Sequence, residues 1–190
     1  MRTTILELSL EKISQFIDGV IRGRDPDLAD HLKRLEGSAL RFGHYLGFSS
    51  EDAQMLAIGA SMHDVGKLGI NEQILHKPAR LTPTEFSVIK QHPVIGHEMI
   101  APLELDQRIV DSVLHHHENF DGSGYPHGLS GQSIPLFARA VRIWDSYDAL
   151  TMNRHYHRGE SKDHALAILQ RDHVYYDPEL LKPFIAMMRA

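Results

Sequence analysis

Residues 49–64 read SSEDAQMLAIGASMHD, a pattern that predicts an α-helix with two polar residues at its end. A serine at 49 or 50 can cap the helix N-terminus, and Glu51 and Asp52 then lie in the first turn, where the helix dipole favours negative charge. A nearly continuous apolar run follows, which indicates a buried helix. The run ends in His63 and Asp64. We infer a specific role for this polar pair because it stands at the end of an apolar helix.

Helical periodicity extends to both sides of this segment. Apolar residues recur at spacings of three and four along nearly the whole chain, whereas alternating, strand-like runs are almost absent. We therefore expect an all-α fold. Gly47 is typical of a helix C-terminus, and Thr82, Pro83 and Glu85 form a capping-box signature. Further helices are predicted over residues 3–22, about 26–46, 82–92, 103–117, 135–151, 161–170 and 178–189.

The N-terminal helix has three interpretations. An apolar stripe along it contains Leu6, Leu10, Ile13, Ile17 and Ile21. The stripe can dock on the protein's own core, form the seam of a homodimer, or belong to a linker from an upstream sensor or receiver domain. The length of 190 residues fits one domain. We therefore expect an amphipathic helix or linker over residues 1–24 and a single folded domain over residues 25–190.

The composition excludes several classes of site. The chain has no cysteine and 14 histidines, which excludes disulfides, thiolate zinc sites, iron–sulfur clusters and a cysteine nucleophile. The net charge of −5 argues against a protein that coats a DNA or RNA duplex, because that task needs a basic surface. The sequence shows no run of about 20 apolar residues and no signal peptide, so we expect no membrane segment and a cytoplasmic location.

Residues 118–134, ENFDGSGYPHGLSGQSI, interrupt the helical pattern. Their four glycines and one proline predict an ordered, turn-rich loop between two helices. A loop of this length without secondary structure is unusual inside a domain and is more often functional. We expect Asp121 and Gly122 to form one of its turns.

Imidazole and carboxylate side chains recur at points that a helical fold can bring together. The His63-Asp64 pair alone is weak evidence of a metal site, because a core histidine oriented by its neighbour gives the same pattern. Further candidates strengthen it, namely His92, His116, His117 and Asp145. Such donors without sulfur suit iron, manganese, zinc or nickel, and they exceed what one ion can use, so two or three metals are predicted. Two close metals favour displacement at phosphorus, and Lys67 would add an ammonium beside Asp64.

Four longer segments carry a family signature. They are HDVGKLGINEQILHKPARLT (63–82), QHPVIGH (91–97), HHENFDGSGYPHGLSGQSIPLFAR (116–139) and WDSYDALT (144–151). Together they resemble the HD-GYP domain, a bacterial subgroup of the HD phosphohydrolase superfamily, from about Asp25 to about Pro178. The resemblance implies a single all-helical HD-type bundle with a dinuclear or trinuclear iron or manganese centre. It also implies hydrolysis of cyclic di-GMP to pGpG and often on to GMP.

The resemblance implies roles for individual residues. The implied metal ligands are His31, His63, Asp64, His92, His116, His117 and Asp145, with Asp64 bridging two ions. Lys67 and Asp64 are the implied catalytic residues. The implied substrate contacts are Lys67, Gly124, Tyr125, Pro126 and Arg154.

Two positions depart from the family pattern. Asp27 precedes His31 by one helical turn, where trinuclear members have a glutamate, so it either binds a third metal or is only an acidic residue of the first turn. His157 stands where some active members have a lysine or arginine for a substrate phosphate, and it is a further candidate substrate contact. The remaining histidines, including His115, and also Asp148, are expected to be structural or surface residues.

These features predict a metal-dependent phosphodiesterase for cyclic di-GMP. Two alternatives remain open. The first is a receptor that binds a cyclic dinucleotide with weak or no turnover. Only one feature of the sequence, His157, favours this alternative. The second is a phosphodiesterase for cyclic GMP-AMP or for pGpG alone.

Overall fold

A computed structural model describes residues 2–152 and 159–190, with side chains from Leu10 onward. These ranges confirm the all-α prediction, because they contain helices and short 3-10 turns but no strand. The α-helices are α1 (Arg2–Arg24), α2 (Pro26–Tyr45), α3 (Ser50–Met62), α4 (Glu72–Leu75), α5 (Pro83–Ile89), α6 (His92–Ile100), α7 (Gln107–His115), α8 (Leu136–Thr151), α9 (Lys162–Arg171) and α10 (Pro178–Arg189). The 3-10 turns cover Val65–Gly69, Ala101–Leu103, Gly131–Ser133 and His173–Tyr175.

Several helix ends form as their capping residues predict. The Ser49 side chain accepts a hydrogen bond from the Asp52 amide at 3.0 Å and caps α3. Gly47 follows α2 with a φ of 78°, a backbone conformation that glycine adopts without steric cost. The capping box of α5 is complete, since Thr82 and Glu85 each accept a hydrogen bond from the other's backbone amide. Local side-chain chemistry therefore sets these boundaries.

The helix predicted over residues 103–117 is shorter and spans Gln107–His115. Glu104 has a left-handed backbone with a φ of 49°, which ends the preceding turn. The Asp106 side chain then accepts a hydrogen bond from the Arg108 amide at 2.9 Å and begins a new helix. The predicted start of this helix at residue 103 was wrong. The apolar periodicity of the sequence continues across residues 103–107, although the chain breaks there and a new helix begins after Asp106.

The core of the bundle forms around α3, which packs against α2, α7 and α8. Three aromatic side chains from α2, α8 and α10 meet edge to face beside it. Phe184 lies 5.7 Å from Phe42 and 4.8 Å from Trp144, measured between ring centroids. Such contacts add to the free energy gained from burying the rings. They fix α2 and α8 relative to each other, and these two helices carry candidate site residues.

The turn after α3 packs tightly against α6. A Cβ atom at Gly66 would overlap the carbonyl oxygen of His92 and the backbone of Gly96. Only glycine therefore permits this approach. The contact holds Asp64 and Lys67, which flank Gly66 in the same turn, next to the first residue of α6.

Helix α1 packs one face on the rest of the domain. Ile17 and Ile21 are buried, whereas Phe16 is 71% exposed and Val20 is 46% exposed. Arg24, its last residue, donates hydrogen bonds to two carbonyl groups of the turn after α3. The domain boundary at residue 24 remains a prediction. Within the described parts of the chain, no helix is both long enough and apolar enough to cross a bilayer.

Candidate metal centre

The seven predicted metal ligands come from different helices and meet through a series of short contacts. They are His31 of α2, His63 and Asp64 after α3, His92 of α6, His116 and His117 after α7, and Asp145 of α8. Most of these side chains are buried, and the exposed fraction of the Asp145 side chain is 15%. The packing of α2, α3, α6, α7 and α8 thus brings together residues that are distant in sequence.

Three of the histidines share one hydrogen-bonding arrangement. The Nδ1 atoms of His63, His92 and His116 lie 2.8, 2.8 and 2.9 Å from the carbonyl oxygen three residues earlier. Because a carbonyl oxygen can only accept, this contact assigns the ring proton to Nδ1 in each case. Each Nε2 therefore presents a lone pair to the centre, which is the form that binds a metal ion.

One group of donors surrounds the Oδ1 side of Asp64. The Asp64 Oδ1 atom lies 3.0 Å from Nε2 of His92 and 3.7 Å from Nε2 of His116. The two Nε2 atoms are 3.1 Å apart. The His117 ring lies 4.3 Å from the His116 ring, between centroids. Each of these four residues offers one ligand atom within 4.8 Å of the others.

A second group lies on the Oδ2 side of Asp64. The Asp64 Oδ2 atom is 3.4 Å from Nε2 of His63 and 3.9 Å from Nε2 of His31. The Asp145 Oδ1 atom is 3.5 Å from Nε2 of His31 and 3.9 Å from Nε2 of His63. Asp64 is therefore common to both groups, an arrangement that suits a bridging carboxylate.

The buried donors in this centre fit divalent metal ions. Nε2 of His63 and Oδ1 of Asp64 have no hydrogen-bond partner among the described residues. The lone pairs of His92 and His116 face each other at 3.1 Å. Leaving such acceptors unsatisfied in a buried site costs free energy, and a cation between them removes that cost. Nitrogen and carboxylate oxygen without sulfur are donors for iron, manganese, zinc or nickel.

Burial and charge adjust the protonation of these groups. Burial lowers the pKa of His116 to about 4 and that of His117 well below its usual value, which keeps both rings neutral. Burial opposes ionisation of Asp64, but the ammonium of Lys67 and hydrogen bonds from the histidines outweigh it and lower the Asp64 pKa. The centre thus holds neutral imidazoles of His116 and His117 beside the ionised Asp64 carboxylate.

Lys67 links this centre to a surface cavity. Its Nζ atom lies 2.5 Å from Oδ2 of Asp64, and 25% of the side chain is exposed. Lys67 lines a cavity of about 890 Å³ together with His31. The ammonium therefore stands between the metal ligands and the space open to a ligand.

The glycine-rich loop brings Tyr125 against His117, one of the predicted metal ligands. The Tyr125 ring stacks on the His117 ring at 4.7 Å between centroids, and its amide donates to the His117 carbonyl at 3.1 Å. The peptide bond between Tyr125 and Pro126 is cis. A Cβ atom at Gly124 would overlap the backbone of His117, Glu118 and Asn119. Burial raises the pKa of Tyr125, so the phenol remains a hydrogen-bond donor.

Sequence reasoning missed the residue that anchors this loop. Glu118 is 1% exposed, and its two carboxylate oxygens accept hydrogen bonds from the backbone amides of His127, at 2.7 Å, and Leu129, at 3.0 Å. The predicted turn at Asp121 and Gly122 is confirmed, since Asp121 accepts from the Ser123 amide at 3.0 Å and Gly122 has a φ of 85°. The sequence feature that could have identified Glu118 is its position as the first residue of the glycine-rich loop.

Asp148 also has more than the general structural role expected of it. Its Oδ2 atom lies 2.6 Å from Nδ1 of His31, and the Arg34 guanidinium holds both carboxylate oxygens at 3.1 Å. Burial opposes ionisation, but the hydrogen bonds from His31 and Arg34 outweigh it and lower the Asp148 pKa to about 2. The sequence feature that could have indicated this role is the spacing of three residues between Asp145 and Asp148, which puts both carboxylates on one face of the helix.

Three predicted site residues lie apart from the two groups of close donors or outside the described residues. Asp27 is exposed and lines the same cavity as His31, but it does not join either group of close donors. Its role as a ligand to a third metal therefore stays a prediction. Arg154 and His157 lie outside the described residues.

Residues 16–180 match the family model described as HD domain, which covers most of the chain and all seven predicted metal ligands. The chain belongs to the HD domain family. A solved structure of an HDG"Y"P protein from Bdellovibrio bacteriovorus shares the fold of this HD domain. It has a TM-score of 0.69 and 22% sequence identity, over 87% of this chain and 54% of that one. The family match confirms the predicted HD-type domain, and the solved structure confirms its fold.

Two curated relatives of this HD domain have longer chains. The cyclic di-GMP phosphodiesterase response regulator RpfG of Xanthomonas campestris is 40% identical over 151 residues, which are 78% of this chain and 40% of the relative. The 3'3'-cGAMP-specific phosphodiesterase 3 of Vibrio cholerae is 31% identical over 182 residues, which are 95% of this chain and 39% of the relative. The chain thus spans less than half the length of these two relatives.

Proposed function

We propose that this HD domain is a metal-dependent phosphodiesterase that hydrolyses cyclic di-GMP to pGpG and on to GMP. The observation that carries the proposal is the geometry around Asp64, whose two oxygens face two groups of histidine Nε2 atoms at 3.0 to 3.9 Å. A bridging carboxylate between two donor groups suits a multi-metal phosphodiesterase. The name of the Xanthomonas campestris relative supports the choice of substrate.

The resident ions of this proposal are two or three divalent metals, iron or manganese. Their ligands would be His31, His63, Asp64, His92, His116, His117 and Asp145, with Asp27 as the ligand for a third ion. When bound, such ions supply Lewis acidity and charge neutralisation for in-line displacement at phosphorus. The protein's contribution is to hold neutral imidazoles and ionised carboxylates in fixed orientations within a buried site.

Lys67 would act on the substrate phosphate. Its ammonium lies 2.5 Å from Oδ2 of Asp64 and lines the surface cavity. From that position it can donate a hydrogen bond to a non-bridging phosphate oxygen or to the leaving oxygen. The ion pair with Asp64 fixes the direction of the ammonium before substrate binds, so little reorganisation is needed.

The glycine-rich loop would select the substrate. Tyr125 stacks on His117, and the absence of a side chain at Gly124 lets the loop lie against the backbone that follows α7. Tyr125, Gly124 and Pro126 would then contact the dinucleotide beside the metal ligands. Arg154 and His157 complete the proposed phosphate contacts on the strength of the family resemblance.

The N-terminal helix would connect the domain to a partner. Phe16 and Val20 on its exposed face offer an apolar surface to a second copy or to an upstream sensor or receiver domain. Relatives with more than twice the matched length are consistent with such an additional domain. We also propose a cytoplasmic location, where the cyclic dinucleotide would be available.

The test is hydrolysis of cyclic di-GMP by protein purified without oxygen and loaded with Fe(II) or Mn(II). The products are separated by chromatography. The wild type should form pGpG and GMP, and Asp64→Asn should reduce the rate at least ~100-fold. Asp172→Asn, a substitution of the same kind at a surface ion pair, should retain the wild-type rate. Tight binding of cyclic di-GMP without turnover in either metal would instead favour the receptor.

A second candidate substrate is 3'3'-cGAMP. The observation that favours it is the Vibrio cholerae relative, which is 31% identical and aligns with 95% of this chain. The same assay with 3'3'-cGAMP, and with pGpG, distinguishes the candidates through the ratio of their kcat/KM values. A larger kcat/KM for 3'3'-cGAMP than for cyclic di-GMP would replace the first candidate with this one.

A further inference from the structure

A second cluster of metal-binding side chains lies beside the candidate metal centre. It consists of His115, the last residue of α7, with Glu118 and His127 of the glycine-rich loop. Each offers one ligand atom, and these atoms lie within 4.8 Å of one another. His115 and His116 are adjacent on a helix end, so their side chains point about 100° apart. The second cluster is therefore distinct from the donors around Asp64.

Among the described residues, His115 and Glu118 have no lysine or arginine in an ion pair with them. Nδ1 of His115 is buried without a hydrogen-bond partner in the part of the chain that the structure describes, and it lies 3.9 Å from Oε1 of Glu118. The Glu118 side chain is fully buried, and two backbone amides are the hydrogen-bond donors to it among the residues that the structure describes. A carboxylate has about four lone-pair positions, so these two hydrogen bonds leave others free for a metal ion.

The third member can reach both solvent and the cluster. His127 is exposed, and its ring lies 5.3 Å from the His115 ring between centroids. Its backbone amide donates to Oε1 of Glu118 at 2.7 Å, which holds this part of the loop over the carboxylate. An exposed histidine above a partly buried histidine and a buried glutamate leaves coordination positions open to water.

We propose that His115, Glu118 and His127 bind one Zn²⁺ ion. Two imidazoles and one carboxylate are a recognised ligand set for zinc, with water in the fourth position. Ligand atoms in such a site lie about 2.0–2.2 Å from the ion, and rotation of the exposed His127 side chain can bring them to that range. The ion would connect the end of α7 to the loop that carries Tyr125.

The test counts zinc in the full chain after equilibrium dialysis, by elemental analysis, in three proteins. His127→Ala removes one ligand but keeps the backbone amide that donates to Glu118, so the loop should fold as before. His44→Ala is the matched control because His44 is also exposed and lies outside both clusters. We expect His127→Ala to bind one zinc ion fewer per chain than the wild type and His44→Ala.

A thermal unfolding measurement provides the second readout. Zn²⁺ should raise the unfolding midpoint of the wild type and of His44→Ala more than that of His127→Ala, because only the first two retain the site. Equal zinc content in His127→Ala and the wild type would overturn the proposal. Zinc content is counted whether or not a cyclic dinucleotide is hydrolysed, so this result is independent of the proposed function.

Discussion

Nδ1 of His31 lies 2.6 Å from the carboxylate of Asp148, 117 residues later in the chain. The aspartate is itself held by two hydrogen bonds from Arg34. Because the carboxylate accepts the Nδ1 proton, Nε2 of His31 faces Asp64 and Asp145 with a lone pair. The other three histidines with assigned tautomers use a backbone carbonyl for this purpose. His31 alone among these four depends on a side chain.

Replacing Asp148 should therefore weaken metal binding. Asp148→Asn removes the negative charge and turns one of the two acceptor oxygens, which face His31 and Arg34, into an NH2 donor. The His31 ring is then held less firmly, and we expect an approximately 10- to 100-fold loss of metal affinity, the range typical of such partners. The measurement is a titration of metal-free protein with Mn²⁺. Asp172→Asn at the surface serves as the control. Equal affinities in the Asp148 variant and the wild type would show that His31 needs no such partner.

Lys67 should matter for turnover but not for metal content. Lys67→Met keeps the length and apolar body of the side chain while it removes the ammonium beside Asp64. We expect kcat to fall about 10²- to 10³-fold, the cost typical of losing one donor to a developing negative charge. Metal per chain, measured by elemental analysis, should stay at the wild-type value. A variant that loses its metal ions would instead give Lys67 a role in assembling the centre.

The close approach of the loop at Gly124 predicts a large effect from one methyl group. Gly124→Ala inserts a Cβ atom into the backbone of the three residues after His116, so the loop must move and Tyr125 should lose its contact with His117. We expect at least a tenfold loss of kcat/KM for the cyclic dinucleotide, or about 1.4 kcal/mol of transition-state stabilisation. Gly19→Ala in α1, where no atom lies within 4 Å of the added Cβ, should leave kcat/KM unchanged. A fully active Gly124→Ala would contradict the proposed role of the loop.

The capping box of α5 predicts a specific dependence of stability on pH. Hydrogen bonds from Lys77 and from the Thr82 amide lower the pKa of Glu85 to about 2. Since the folded-state pKa lies below the unfolded value, Glu85 stabilises the fold above about pH 4.5, and this contribution is lost as the pH falls towards 2. Urea unfolding of the wild type and of Glu85→Gln tests this expectation. The two free energies of unfolding should differ at pH 6 and converge near pH 2, whereas a constant difference would exclude this cause.

The same helix offers a check that involves no titration. Thr82→Ala removes the side chain that accepts from the Glu85 amide, and such caps contribute about 1 kcal/mol. The free energy of unfolding should fall by about that amount, at pH 6 and at pH 3 alike. A loss confined to one of the two pH values would mean that Thr82 acts mainly through the charge of Glu85.

The helices and their caps could be predicted because their signals are local. The apolar spacing around residues 49–64 and the sequence Thr82-Pro83-Glu85 contain the information that forms α3 and the start of α5. The break before α7 was missed because it depends on a left-handed residue, Glu104, that no periodicity marks. Local chemistry therefore determines where helices begin, and sequence reasoning fails where one backbone conformation interrupts a continuous apolar pattern.

The candidate ligands could be assigned from their types and from the family resemblance, but their supporting partners could not. The contact of Asp148 with His31 joins two helices, and its only sequence signal is a spacing from Asp145 that many surface helices share. In the sequence, nothing distinguishes Glu118 from other acidic residues. Its role depends on the folded loop, which brings the backbone amides of His127 and Leu129 to its carboxylate. Such long-range hydrogen bonds depend on how the helices pack.

Asp64 is proposed to bridge metal ions held by the two groups of histidines. The most direct measurement is anomalous scattering at the iron and manganese edges from crystals of protein purified without oxygen. We predict one peak between Asp64, His92 and His116 and a second between Asp64, His31 and His63, with a third beside Asp27 if that residue is a ligand. The absence of any peak next to Asp64 in crystals of fully active protein would show that Asp64 does not bridge the metal ions used in hydrolysis.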